Sequence, residues 1–180
     1  MEQKAIAPQN LNGYDSPDFD GPPPKRHEKR QMTSIVRIIL VDDFEPWRRF
    51  IASLLQENPD WQIVCEASDG IEAVQKAKEF QPDLILLDIG LPELNGIEAA
   101  PSIRKIAPKS KILFLSENRD SEIAAAALSA GGNGYVVKSD GADELLLAIE
   151  SVLHGKRFVS STFKGLDLTA TEGQPSGDFR

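Results

Sequence analysis

The sequence predicts a doubly wound α/β sandwich around a central five-stranded, mostly parallel sheet. Three observations carry that reading. Five short apolar runs rich in β-branched residues alternate with five amphipathic segments between Ile35 and Gly155. Four of the runs end abruptly in a polar residue. The order is strand then helix throughout, which makes a mostly parallel sheet covered on both faces.

Val36 to Val41 is apolar but for Arg37, as suits a buried strand. Pro46 then opens a helix in its first turn, where its missing N–H costs nothing, and Phe50, Ile51, Leu54 and Leu55 recur at helical spacing. A strand near Gln62 to Ala67 leads to a helix from Gly70 to Phe80, with Ile71, Val74, Ala77 and Phe80 on one stripe. Asp83 to Leu87 is the third strand, and Gly96 to Ile106 the third helix, which Pro101 is expected to bend or to start late. Lys111 to Leu115 is the fourth strand, followed by the alanine-rich helix Ser121 to Ala130 and its stop at Gly131-Gly132. Gly134 to Val137 and Ala142 to His154 complete the fifth pair, with Gly155 as terminator.

Outside this region the patterns stop. Residues 1–34 hold five of the twelve prolines and show no apolar period, so they read as a disordered tail; residues 156–180 read as a C-terminal tail or linker remnant, and 35–155 as the one domain. No apolar run approaches the roughly 20 residues of a membrane span. The start lacks a secretory signal and Cys65 is the lone cysteine, so a cytoplasmic protein is expected. The chain carries 28 acidic and 20 basic side chains, a net charge of −8, the wrong sign for neutralising nucleic-acid phosphates. Residues 35–155 hold 20 of the acids against 11 bases. The acidity therefore belongs to the domain. The PPPKRHEKR stretch at 22–30 reads as a solvated charge cluster, and Trp47 and Trp61 as packing residues.

In a doubly wound sheet, ligands bind beyond the carboxyl ends of the strands, near the point where strand order reverses. The first strand ends in Asp42-Asp43, the third in Asp88, the fourth in Ser116 and the fifth in Lys138. The fold should bring three carboxylates, a hydroxyl and an ammonium to one edge. Carboxylates about 5 Å apart repel by roughly 3 kcal/mol per pair at an effective dielectric near 20, so a divalent cation is the natural counter-charge. An oxygen-only site suits Mg2+; for zinc the chain offers only the widely separated His27, His154 and Cys65. One carboxylate can then attack phosphorus, because phosphoryl transfer needs mainly positioning and charge neutralisation.

VDD at 41–43, LLDIGLPELNGIE at 86–98, FLS at 114–116 and GGNGYVVK at 131–138 together resemble the receiver domain of two-component response regulators, of the NarL type, over about Ile35 to Gly155. The resemblance implies a flavodoxin-like (βα)5 fold and a phosphoryl group accepted on Asp88 from a histidine kinase or phosphotransfer protein. It further implies direct metal ligation by Asp43, Asp88 and the Gly90 carbonyl, and ligation by Asp42 through water. Ser116 and Tyr135 would act as switch residues, with Tyr135 rotating inward, and Lys138 would pair with the phosphate. A downstream protein partner would read the change, and a homodimer through the fourth helix, fifth strand and fifth helix is compatible with it.

Two departures bear on this. Ser139 stands where many receivers have a proline in a cis peptide, which leaves the geometry after Lys138 open. HGKRFVSSTFKG at 154–165 looks like the start of a linker to a DNA-binding domain, but 25 residues after Gly155 are too few for that four-helix domain, so no direct DNA binding is expected. Alternatives are the receiver portion of a transcription factor without its helix-turn-helix part, and an aspartyl-phosphate-forming phosphohydrolase. The latter normally carries its nucleophile in a DxD after the first strand; here the acids are adjacent and Asp88 stands apart. A flavin site is disfavoured because the DDFEPW loop lacks a Ser/Thr/Gly phosphate cradle.

Overall fold

In the computed structural model, residues 34–165 are described, and the chain alternates strand and helix as the apolar pattern requires. The elements are β1 (Val36–Val41), α1 (Glu45–Leu55), β2 (Trp61–Ala67), α2 (Gly70–Phe80), β3 (Leu84–Asp88), α3 (Gly96–Ile106), β4 (Lys111–Ser116), α4 (Ser121–Ser129), β5 (Gly134–Val137), α5 (Ala142–Leu153) and β6 (Phe158–Val159). All strand pairs are parallel, in the order β2-β1-β3-β4-β5-β6. The order reverses between β1 and β3. Their carboxyl ends hold Asp42-Asp43 and Asp88, so the acids lie at the reversal point, where a crevice opens.

The period of two along each strand divides the core into two layers. Ile38, Leu40, Leu84, Leu86, Leu113, Leu115 and Val136 pack under α1 and α5, which bury Ile51, Leu55, Leu145, Ile149 and Val152. On the other face, Ile39, Val41, Ile85, Leu87, Ile112, Phe114, Tyr135 and Val137 meet α2, α3 and α4, whose inward positions are mostly alanine: Ala73, Ala77, Ala99, Ala100, Ala124 and Ala127. Small residues let those helices lie close to the sheet. Asp69, Asn95 and Asp120 begin them by accepting the Glu72, Glu98 and Glu122 amides through their side chains.

The structure corrects four details. Of the stripe on α2, Val74, Ala77 and Phe80 pack on the core as expected, but Ile71 is 49% exposed, and Gly70 and Ala73 are buried as well. Phe50 likewise faces outward, its ring tilted 39° against Trp47 with centroids 5.3 Å apart. Pro101 neither delays nor interrupts α3, because the full burial of Ala99, Ala100 and Ile103 and the Asn95 cap outweigh one lost hydrogen bond. The sheet has a sixth strand, since chain beyond Gly155 returns along β5 and pairs Phe158 with Gly134 and Val159 with Tyr135. A two-residue strand is too short to show a period. The expected tail at 1–34 and the residues after 165 lie outside the described residues, apart from Ser34. Among the described residues no helix is long and apolar enough to cross a membrane.

One close contact links the fold to the cleft. A Cβ on Gly96 would lie 2.1 Å from the Asp88 carbonyl oxygen, while the Gly96 amide donates to Ile89 O at 3.1 Å. Gly96→Ala must therefore push the end of β3 away from α3. Loss of about 2 kcal/mol in urea unfolding is expected, near the middle of the range for overpacking. Unchanged stability would mean that this contact relaxes freely.

Candidate functional site

Four strands deliver the cleft residues. Asp42 and Asp43 follow β1, Asp88 and Ser116 are the last residues of β3 and β4, and Lys138 follows β5. The structure brings all five together as the run endings require. One carboxylate oxygen from each of Asp42, Asp43 and Asp88 lies within 4.8 Å of the others. Lys138 Nζ donates to Asp42 Oδ2 at 2.6 Å and lies 3.3 Å from Asp88 Oδ2. Asp42 is 0% exposed and Asp88 6%, whereas Asp43 is open to solvent.

The three acids are not equivalent. Both Asp42 oxygens are engaged, Oδ1 by the Phe44 amide at 3.0 Å and Oδ2 by Lys138. Asp88 accepts from the Gly90 amide and shares Lys138, and it faces a hollow lined also by Ile89, Gly90, Ser116, Glu117, Asn118 and Ile123. Asp88 is thus the acid that is both buried and reachable. Burial lifts its carboxyl above the ordinary range; Asp42 adds to the rise and Lys138 opposes it. For Lys138, burial works against the ammonium, but the Asp42 hydrogen bond and the charges of Asp88 and Asp42 overcome it, so it titrates above its ordinary value.

Ser116 is buried at the rim, its Oγ accepting the Asn118 amide at 3.0 Å. Tyr135 lies fully inside, its hydroxyl donating to Asn118 O at 2.9 Å. The geometry after Lys138 is settled among the described residues: no peptide bond is cis, and Lys138–Asp140 forms a single 3-10 turn from which the ammonium still reaches both acids.

Sequence reasoning missed three supports. Arg48 on α1 donates to Asp42 O at 2.6 Å and to Glu66 at 2.9 Å, fixing the β1–α1 loop. The Trp47 ring, read as packing, also stands 5.5 Å from Lys138 Nζ. Phe163 closes over Tyr135 from beyond β6. Only Trp47 had a signal, its nearness to Asp43 in sequence.

The fold and cleft define a class: a flavodoxin-like module with a buried, reachable carboxylate at the reversal point, flanked by two further acids and one ammonium. Comparison with known proteins gives the family. The response regulator receiver domain profile matches residues 38–150. Transcriptional regulatory protein LnrK of Bacillus subtilis is 38% identical over 121 residues, covering 67% of this chain and 55% of the relative. Response regulator protein VraR of Staphylococcus aureus is 34% identical over 121 residues, covering 67% of this chain and 58% of its own. Among solved structures, a LuxR-family two-component response regulator from Aurantimonas superposes with a TM-score of 0.68 at 38% identity, covering 71% of this chain and 91% of the other. The NarL receiver domain of Mycobacterium tuberculosis superposes with a TM-score of 0.65 at 27% identity, covering 68% and 99%. This chain belongs to the response regulator receiver family, the phosphoacceptor modules of two-component signalling. It spans about half the length of the curated relatives it matches.

The raised Asp88 pKa sets a stability test. The folded protein holds the Asp88 proton to higher pH than the unfolded chain does. This group's contribution is thus fully present below the ordinary carboxylate range and is lost as pH rises through the folded value. At neutral pH without divalent cations, Asp88→Asn should gain about 1 kcal/mol, or roughly 3 to 5 °C in thermal unfolding. The gap should close toward pH 4. A variant no more stable than the parent at neutral pH would count against a strained carboxylate.

Proposed function

We infer that this domain accepts a phosphoryl group on Asp88 and uses it to switch partner binding. The observation that carries this is the placement of Asp88: buried and raised in pKa, yet lining an open hollow beside Lys138 and Ser116. Three carboxylates against one ammonium leave an excess of negative charge that fits a hard divalent cation, and the ligand atoms are all oxygen. Asp43, Asp88 and the Gly90 carbonyl would hold Mg2+ directly. Asp42, with both oxygens already engaged, would act through water. Bound there, Mg2+ would neutralise charge on the transferring phosphoryl oxygens.

This chain's residues supply the rest. An Asp88 carboxylate oxygen attacks phosphorus, the bond from phosphorus to the donor's leaving nitrogen or oxygen breaks, and an acyl phosphate forms. The Lys138 ammonium, already 3.3 Å from Asp88, turns from the carboxylates to the new phosphoryl oxygens, and the Ser116 hydroxyl donates a hydrogen bond to them. The donor is a histidine kinase or phosphotransfer protein and the reader a downstream protein. The acidic domain itself is not a DNA-binding surface. The chain is a phosphoacceptor with at most self-phosphorylation and self-dephosphorylation, and its place is the cytoplasm. A second reading has a specific ground: relatives named as transcriptional regulators are matched over only about half their length, so this receiver could serve as the input part of a transcription factor.

With Mg2+ and acetyl phosphate, the parent should take up one acid-stable, hydroxylamine-labile phosphate, and Asp88→Asn none by intact-mass spectrometry. Equal labelling of the variant would refute the assignment. Hydrolysis of ordinary phosphate monoesters over many turnovers would instead favour the hydrolase.

A further inference from the structure

The segment after α5 does more than complete the sheet. β6 covers only Gly134 and Tyr135, which leaves the Val137 amide, one residue before Lys138, without a strand partner. Ser160, 1% exposed, supplies one: its Oγ accepts the Val137 N–H at 2.9 Å and donates to Glu144 at 3.1 Å. Its own amide donates to Tyr135 O at 2.9 Å. The Ser161 amide adds a bond to Glu144 at 2.6 Å. Thr162 Oγ1 donates to Asp140 at 2.8 Å, and the other Asp140 oxygen accepts from Arg119, also at 2.8 Å, in the loop after β4. Phe163 is 4% exposed, with its ring edge-on to Tyr135 at 5.6 Å and 81°.

These contacts converge on the cleft from behind. Tyr135 bonds Asn118 O, and the Asn118 amide bonds Ser116, whose side chain lines the same hollow as Asp88 and Lys138. Tyr135 cannot leave its buried position toward the β6 edge unless Phe163 moves. Nor can the end of β5 shift without breaking the Ser160 bonds. We propose that Phe158–Phe163 is a positioning strap for the phosphoacceptor cleft: docked, it holds Tyr135 inside, fixes the backbone entering Lys138 and braces the Ser116–Asp120 loop. Strap docking and cleft occupancy are therefore linked, and the linkage rests on Asp88 being the acceptor. Linked equilibria are reciprocal, and coupling of this kind typically amounts to about 5- to 150-fold.

Amide hydrogen exchange on the full chain, unphosphorylated, tests the strap alone. Phe163→Ala should speed exchange at Asn118 and Val137 at least fivefold while α2 and α3 keep their rates, and Phe163→Leu, which retains bulk, should stay within twofold. Acceleration confined to Phe158–Phe163, or spread evenly over the domain, would overturn the proposal. Should Phe163→Ala not fold, Thr162→Val, which removes only the Asp140 bond, should speed exchange several-fold at Asp120, whose amide donates to Asn118 Oδ1 in the loop that carries Arg119; an unchanged rate there overturns it equally. Beryllofluoride with Mg2+ then tests the linkage. Binding should slow exchange at Ser160 and Phe163 at least fivefold, and Phe163→Ala should weaken beryllofluoride binding by the same factor. Binding without any change at the strap overturns the linkage. Failure of the parent to bind beryllofluoride would count against Asp88 as acceptor, and the first exchange comparison still decides the strap.

Discussion

The Lys138 ammonium between Asp42 and Asp88 is the contact on which the cleft depends. A doubly wound sheet points the carboxyl ends of β1 and β3 at the same crevice, so acids ending both strands are forced together. At 4.8 Å, each pair of charged carboxylates repels by about 3.5 kcal/mol at an effective dielectric near 20. Within the protein, the offset comes from one cation delivered by a third strand. Because Lys138 is bound by geometry to the end of β5, anything that shifts β5 changes how well the acids are compensated. The charge problem created at β1 and β3 is thereby solved two strands away.

The acids divide the work according to how each is already satisfied. Asp42, with two protein donors, is a fixed anchor for Lys138, and Arg48 holds its backbone. Asp43 is exposed and faces solvent with its carboxylate free to meet a cation. Asp88 sits between these extremes, buried enough for its carboxyl to titrate high but open to the hollow. The proposed acceptor role calls for both properties, since water competes at a fully open site and phosphorus cannot reach a closed one. Trp47 presents its ring to the Lys138 ammonium, 5.5 Å from the centroid, where a hydrated residue would weaken the pairing.

Most of this was legible in the residues because the fold writes its site at strand ends. Val36 to Val41 and Gly134 to Val137 have the expected bounds, and the polar residue after each locates Asp42 and Lys138. The family motifs separated Asp88 from the other acids. Two kinds of feature were illegible, and for the first the reason is that alanine and short segments leave no periodic mark. On α2 the stripe held for Val74, Ala77 and Phe80, but Ile71 at its start faces out and the small Gly70 and Ala73, which carry no apolar signal, lie against the sheet. Arg48 and Phe163 act across the fold, and local sequence holds no record of such contacts. Phe158–Val159 is a strand only because β5 has an open edge for it.

The unequal filling of the two faces says where the domain can yield. On one side α5 buries Leu145, Ala148, Ile149 and Val152; on the other α4, nine residues long, buries only Ala124, Ala127 and Leu128. Each buried methylene is worth about 0.8 kcal/mol, so α4 is held by several fewer kcal/mol of apolar transfer than α5. It also begins directly after the Ser116–Asp120 loop that rims the cleft. α4 is thus less firmly seated than α5, and it is the helix that adjoins the cleft rim. The Tyr135–Phe163 ring contact and the Ser160 bonds tie β5 to the chain beyond α5, while the Tyr135 hydroxyl ties it to the loop that leads into α4.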